Sequence, residues 1–126
     1  IERDESLKDF IEETIAKFNL ENKIKLHIGN AIEVIDSIEG NFDLIFIDAD
    51  KASYPLYFNK CVERLNSGGI MIADNILWYG KVVLEVKESD KETKALMNFN
   101  KMVTEDERLD NLIIPIRDGL MVARKK

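Results

Sequence analysis

FDLIFIDADK, from Phe42 to Lys51, and GGIMIADN, from Gly68 to Asn75, are the two stretches that decide how this chain folds. Both are apolar almost throughout and carry turn or charged residues at each end, the pattern of buried strands. As parallel neighbours they would end at one edge of a sheet. Asp48, Asp74 and Asn75 would then meet there, with Lys51 one short turn away. Two carboxylates and an amide carbonyl are hard oxygen donors that suit Mg²⁺, with waters completing an octahedron. A lysine beside such a cation is placed to abstract a proton from a metal-bound hydroxyl. The set reads as the site of an enzyme.

Outward from these strands, helix and strand patterns alternate without an internal repeat. Ile1-Glu2 reads as the tail of a strand. Leu7, Phe10, Ile11, Thr14, Ile15 and Phe18 make one helical stripe, with Asp4 as its N-cap. Ile24 to Ile28 is expected to be a short strand ended by Gly29-Asn30, and Ala31 to Ile38 a short helix. A helix from Tyr54 to Leu65 is stopped by Asn66-Ser67-Gly68-Gly69. A polar loop bearing Trp78 runs from Asn75 to about Asp90, followed by a helix from Lys91 to Thr104. Leu109 to Ile116 and Gly119 to Arg124 form an antiparallel hairpin.

The fold class is therefore α/β: a Rossmann-like, doubly wound, mostly parallel sheet closed by a C-terminal hairpin. Such a sheet ordinarily opens with a central strand and a glycine-rich cofactor loop, and neither precedes Glu2. Residues 1–126 are thus expected to be the C-terminal two-thirds of a single domain.

Bulk composition narrows the function. The 126 residues suffice for one domain with a modest core, and 45% hydrophobic with 33% charged content is ordinary for a globular protein. A net charge of −6 argues against general nucleic-acid binding through phosphates. The single cysteine, Cys61, excludes an internal disulfide and reads as a small buried apolar residue. With no apolar span of membrane length and a charged start, the expected setting is the cytoplasm.

FIDADK followed by ADNILWYGKV resembles the cation-dependent class I O-methyltransferases, the group holding catechol and caffeoyl-coenzyme A O-methyltransferases and small bacterial relatives. The resemblance runs from IERDE at the start to IPIRDGLMVARK at the end. It implies S-adenosylmethionine as cofactor and Mg²⁺, or another divalent cation such as Ca²⁺ or Mn²⁺, as the metal. Asp48, Asp74 and Asn75 match the family's metal ligands, and Lys51 its general base. Glu2 matches the acid that binds the cofactor ribose, while Gly29, Asn30 and Ala31 match the segment near the adenine; Asp48 borders the same cofactor. Trp78 matches an aromatic of the substrate pocket, with Tyr54 and Tyr57 as further pocket residues. Arg117 stands where relatives often carry glycine.

The implied reaction is methyl transfer to a metal-bound hydroxyl of a catechol-like or other vicinal-hydroxyl small molecule. A hydroxylated uridine in transfer RNA is the alternative acceptor within the family, and a homodimer the implied assembly. Two readings lie outside it. A chain holding the metal corner but no cofactor would be a non-catalytic fragment. A signalling receiver domain would need an acidic pair after its first strand and a lysine-proline after its last, and both are lacking. Plain structural roles are assigned to Asp50 (helix start), Asp43 (strand-edge turn), His27 (packing or surface) and Arg124-Lys125-Lys126 (a basic tail).

Overall fold

The computed structural model describes residues 1–126, which divide into two compact units, Ile1–Glu39 and Gly40–Lys126. In the first unit, a 3₁₀ turn at Glu5–Leu7 leads into α1, Lys8–Lys17. Asp4, expected to cap the helix, caps that 3₁₀ turn instead, its Oδ1 accepting from the Ser6 N–H at 2.9 Å, and α1 follows Leu7 with no side-chain cap. α2, Ala31–Ser37, starts at Asn30, whose side chain accepts from the Ile32 N–H at 3.1 Å. The expected Ile24–Ile28 strand does not form as a strand. It contributes a single parallel bridge, Glu2 with Ile28, held by Glu2 N–H to His27 O at 2.9 Å and Gly29 N–H to Glu2 O at 2.8 Å. A pair this short propagates no ladder, because Gly29 leaves the extended region at φ 141°.

The second unit is built on a four-stranded sheet of order β1-β2-β4-β3. Its strands are β1, Phe42–Ile47, β2, Leu65–Asp74, β3, Leu109–Ile114, and β4, Leu120–Lys125. β1 and β2 are parallel, while β4 runs antiparallel to both β2 and β3. Three strands therefore point one way, and the hairpin closes the sheet as the sequence implies. Residues 66–69 were expected to stop the helix before the strand began; instead β2 starts at Leu65. Leu65 pairs with Phe42, and the next pair is Leu44 with Ile70, so the Asn-Ser-Gly-Gly stretch is accommodated as a register shift. Asp43 serves the edge role read for it, accepting from Asn66 Nδ2 at 2.8 Å.

α3, Tyr54–Arg64, and α4, Lys91–Glu105, pack on one another; α3 packs on β2 and α4 on β3. Met71, Ala73, Met121 and Ala123 form the covered sheet face, against Phe58 and Val62 of α3 and Leu96, Phe99 and Val103 of α4. Cys61 is buried among them, and that burial pushes its thiol up to about 12. β1 departs from the buried-strand expectation: Leu44 and Phe46 are 58% and 59% exposed. Alternate side chains point to opposite faces, and the two helices cover one face only. The tail residue Lys125 has a structural task too. Its Nζ donates to Val62 O and Leu65 O, both at 2.8 Å, capping the C-terminal end of α3.

Candidate active site

Parallel pairing sets the site. Ile47 is in register with Ala73, so the residues that follow them, Asp48 and Asp74, stand at neighbouring strand ends. Ligand sites of open α/β sheets lie at this carboxyl edge. Asn75 then leaves β2 in the left-handed region, φ 60°, which asparagine tolerates better than most residues. Asp74 Oδ1 accepts the Asn75 N–H at 2.7 Å.

Lys51 joins the two strand ends. It lies in a 3₁₀ turn, Lys51–Ser53, capped by Asp50, whose Oδ1 accepts from the Ser53 N–H at 3.1 Å. That turn folds the lysine inward, leaving it only 6% exposed. Its Nζ lies 3.4 Å from Asp48 Oδ1, 3.4 Å from the backbone oxygen of Asp74 and 2.5 Å from the Tyr54 hydroxyl. A buried ammonium is tolerated only when its donors are met, and here three acceptors surround it. The Asp48 side chain is 56% exposed, so the group opens to solvent on that side.

Tyr54 is not the pocket wall that the sequence suggests. It is fully buried at the start of α3, edge-on to Phe99 with ring centroids 5.2 Å apart. Its hydroxyl donates to Asp74 O at 2.9 Å, with Ile47 O at 3.4 Å. Burial, more than any neighbour, pushes its phenol well above the usual range. Tyr57 is buried as well and donates to Asp50 Oδ2 at 2.9 Å. Both tyrosines face inward because the helix stripe that carries them is the one packed on the core.

The β2–β4 register, Asp74 with Leu120, brings the turn between β3 and β4 to the same edge. There a cavity of about 620 Å³ is lined by Asn75, Leu77, Tyr79, Gly80, Val82, Val83, Arg117 and Asp118. The turn and the loop are sewn together by Ile76 N–H to Gly119 O at 3.1 Å, Leu77 N–H to Asp118 O at 3.0 Å and Tyr79 N–H to Asp118 Oδ1 at 2.6 Å. Gly119 is required at this seam: its φ is +80°, and a Cβ would lie 2.5 Å from Leu77 Cγ. Trp78 is not among the cavity walls; its neighbour Tyr79 is. Trp78, Tyr79 and Gly80 are successive left-handed residues, so the chain swings sharply between the two rings. The indole Nε1 of Trp78 ends buried with no acceptor. No local pattern pairs Tyr79 with Arg117, because 37 intervening residues separate two segments that only the hairpin reunites.

In the first unit the bridge between Glu2 and Ile28 gathers Glu2 with Gly29, Asn30 and Ala31. One Glu2 oxygen, Oε1, accepts from the Asp4 N–H at 2.7 Å, and the Asn30 side chain is occupied in capping α2. At Gly29, with φ 141°, a Cβ would lie 3.0 Å from Val34 Cγ2.

For a divalent cation, the donors on hand are the Asp48 and Asp74 carboxylates and the Asn75 amide, hard oxygens in the composition that Mg²⁺ prefers. No group of three or more His, Cys, Asp or Glu side chains gathers anywhere in the chain, so the third donor here is the Asn75 amide. The donor chemistry fits a hard cation that keeps several waters.

A family model described as O-methyltransferase matches residues 1–126. A probable caffeoyl-CoA O-methyltransferase of Dictyostelium discoideum is 34% identical over 128 residues, spanning 87% of this chain and 51% of that protein. A caffeoyl-CoA O-methyltransferase of Populus trichocarpa is 31% identical over 122 residues, 88% of this chain and 49% of that one. Among solved structures, an SAH-bound methyltransferase of Podospora anserina superposes with a TM-score of 0.84 at 28% identity, covering 99% of this chain and 58% of that one. An O-methyltransferase of Bacillus cereus in complex with SAH has the same fold, with a TM-score of 0.89 at 24% identity over 99% of this chain and 60% of that one. The chain spans about half the length of the curated relatives it matches.

Proposed function

We propose a specific reaction for this chain, which belongs to the O-methyltransferase family matched over its whole length: methyl transfer from S-adenosylmethionine to a hydroxyl of a small molecule bearing vicinal hydroxyls. The observation that carries it is Lys51 Nζ, buried and set 3.4 Å from both Asp48 Oδ1 and Asp74 O at two adjoining strand ends. A buried amine beside a solvent-open carboxylate suits removal of a proton from an oxygen nucleophile arriving at that opening.

A divalent cation held by Asp48, Asp74 and Asn75 would supply Lewis-acid polarisation of the acceptor hydroxyl and a template for two adjacent oxygens. Lys51 takes the hydroxyl proton as the oxygen attacks the methyl carbon. Glu2 and the Gly29–Ala31 segment hold the cofactor's nucleoside, the carboxylate accepting from ribose hydroxyls. Tyr79, Val83 and Arg117 border the space for the acceptor beside Asn75. Much of the rate then comes from positioning, which in well-oriented reactions is worth about 7–11 kcal/mol. The same reading carries a homodimeric, cytoplasmic protein; no helix of the chain is long and apolar enough to cross a membrane.

The test is a methyl-transfer assay on the full-length protein that carries this chain. A catechol and a transfer RNA bearing hydroxyuridine are compared as acceptors, each with Mg²⁺ and with excess chelator. Chelator-sensitive methylation of the catechol supports the proposal. Preference for the RNA overturns the acceptor class, and full turnover in chelator overturns the metal.

A further inference from the structure

Tyr54 has no part in the chemistry above, yet its hydroxyl is the nearest polar atom to Lys51. It follows Lys51 by three residues, so the 3₁₀ turn and the first turn of α3 stack one over the other. A phenol has one proton and an oxygen that can also accept. The proton has a backbone acceptor, Asp74 O at 2.9 Å, with Ile47 O at 3.4 Å behind it. Only the accepting side of the oxygen is left for Lys51, at 2.5 Å.

The consequence is directional. Each acceptor that Nζ meets fixes one direction around the nitrogen. Tyr54 Oη and Asp74 O fix two of them, both from the buried side. The third position of Nζ is then left toward Asp48, the exposed side of the group. We infer that Tyr54 is a positioning residue for Lys51, holding Nζ so that its one remaining direction meets the acceptor hydroxyl. The inference rests on the reading of Lys51 as base. In the step, the acceptor O–H bond breaks and an N–H bond forms on Nζ, giving an ammonium whose three hydrogens face Tyr54, Asp74 O and Asp48.

Tyr54→Phe removes the accepting oxygen and keeps the ring against Phe99. In the full-length protein we expect turnover to fall by about 10- to 100-fold, the range seen when a residue behind an active group is removed. KM for both substrates should stay within about threefold, because nothing that binds them is touched. In a Lys51→Met background the same change should cost nothing further, since it acts only through the lysine. A second readout needs neither metal nor turnover: labelling of Lys51 by an amine-reactive ester, followed by peptide mass spectrometry, should speed up several-fold in Tyr54→Phe. Full turnover in Tyr54→Phe with a dead Lys51→Met would overturn the positioning role alone. Full turnover in Lys51→Met would overturn the base. Multiplying losses in the double variant, or unchanged labelling, would show that Tyr54 acts only as core. Should Tyr54→Phe not fold, site-specific 3-fluorotyrosine at position 54 keeps ring and hydroxyl with a poorer acceptor, and a smaller loss of turnover is expected.

Discussion

Two regions meet at the carboxyl edge of the sheet, and they are built by opposite means. The corner of Asp48, Lys51, Tyr54 and Asp74 is tied to the core: Lys51 and Tyr54 are buried, and every donor of the lysine has an acceptor. The loop from Asn75 to Asp90 is pinned to the β3–β4 turn near its start and largely exposed beyond it. Tyr79 and Val83 are each 81% exposed, three successive residues are left-handed, and the Trp78 N–H is unmet. Groups that must hold sub-ångström geometry belong on a rigid frame, and groups that choose among acceptors belong on a segment free to vary. On the proposed reading, the corner carries the chemistry and the loop carries the choice of acceptor.

That contrast breaks first if the corner is dispensable. Asp48→Ala or Asp74→Ala should lower metal-dependent turnover by more than about 10²-fold, since even residues behind metal ligands are worth 10- to 100-fold. Steady-state kinetics of the full-length protein would expose the error if either variant kept its rate. Lys51→Met should lower turnover by about 10²- to 10⁴-fold, the usual worth of a general base. Metal affinity measured by calorimetry should change little; a loss confined to affinity would make the lysine a support of the ligands. At the seam, Gly119→Ala forces a Cβ into Leu77 at φ +80°, and should cost about 1–3 kcal/mol in denaturant unfolding. An unchanged midpoint would mean that the loop simply moves aside. Smallest of all, Tyr79→Ala or Arg117→Ala should raise KM for the acceptor by less than about tenfold with kcat nearly constant. A collapse of kcat in either variant would erase the division between corner and loop.

Much of the corner was legible beforehand. An apolar run closed by an acid is a local signal, and two such runs on a parallel sheet can end only at one edge, so Asp48, Asp74, Asn75 and Lys51 fell out of pattern alone. The Asp4 cap, the helix start at Asp50 and the buried state of Cys61 were equally local. Tyr54 was misplaced because helical periodicity tells which residues share a stripe but not which stripe faces the core. The Ile24–Ile28 strand was over-read because β propensity is spent only where a partner lies alongside.

By itself, the sequence determined the order of elements, the chemistry available at the strand ends and the kinship with O-methyltransferases. Those properties live in spacings of a few residues, where backbone sterics and side-chain periodicity act. Tertiary structure alone decided that Tyr54 sits under Lys51, that Lys125 caps α3, and that Arg117 joins Tyr79 around one cavity. Each of those contacts depends on the register of a distant strand or the packing of a whole helix. Such choices are settled by the free energy of burying the entire core, to which no local stretch of chain has access.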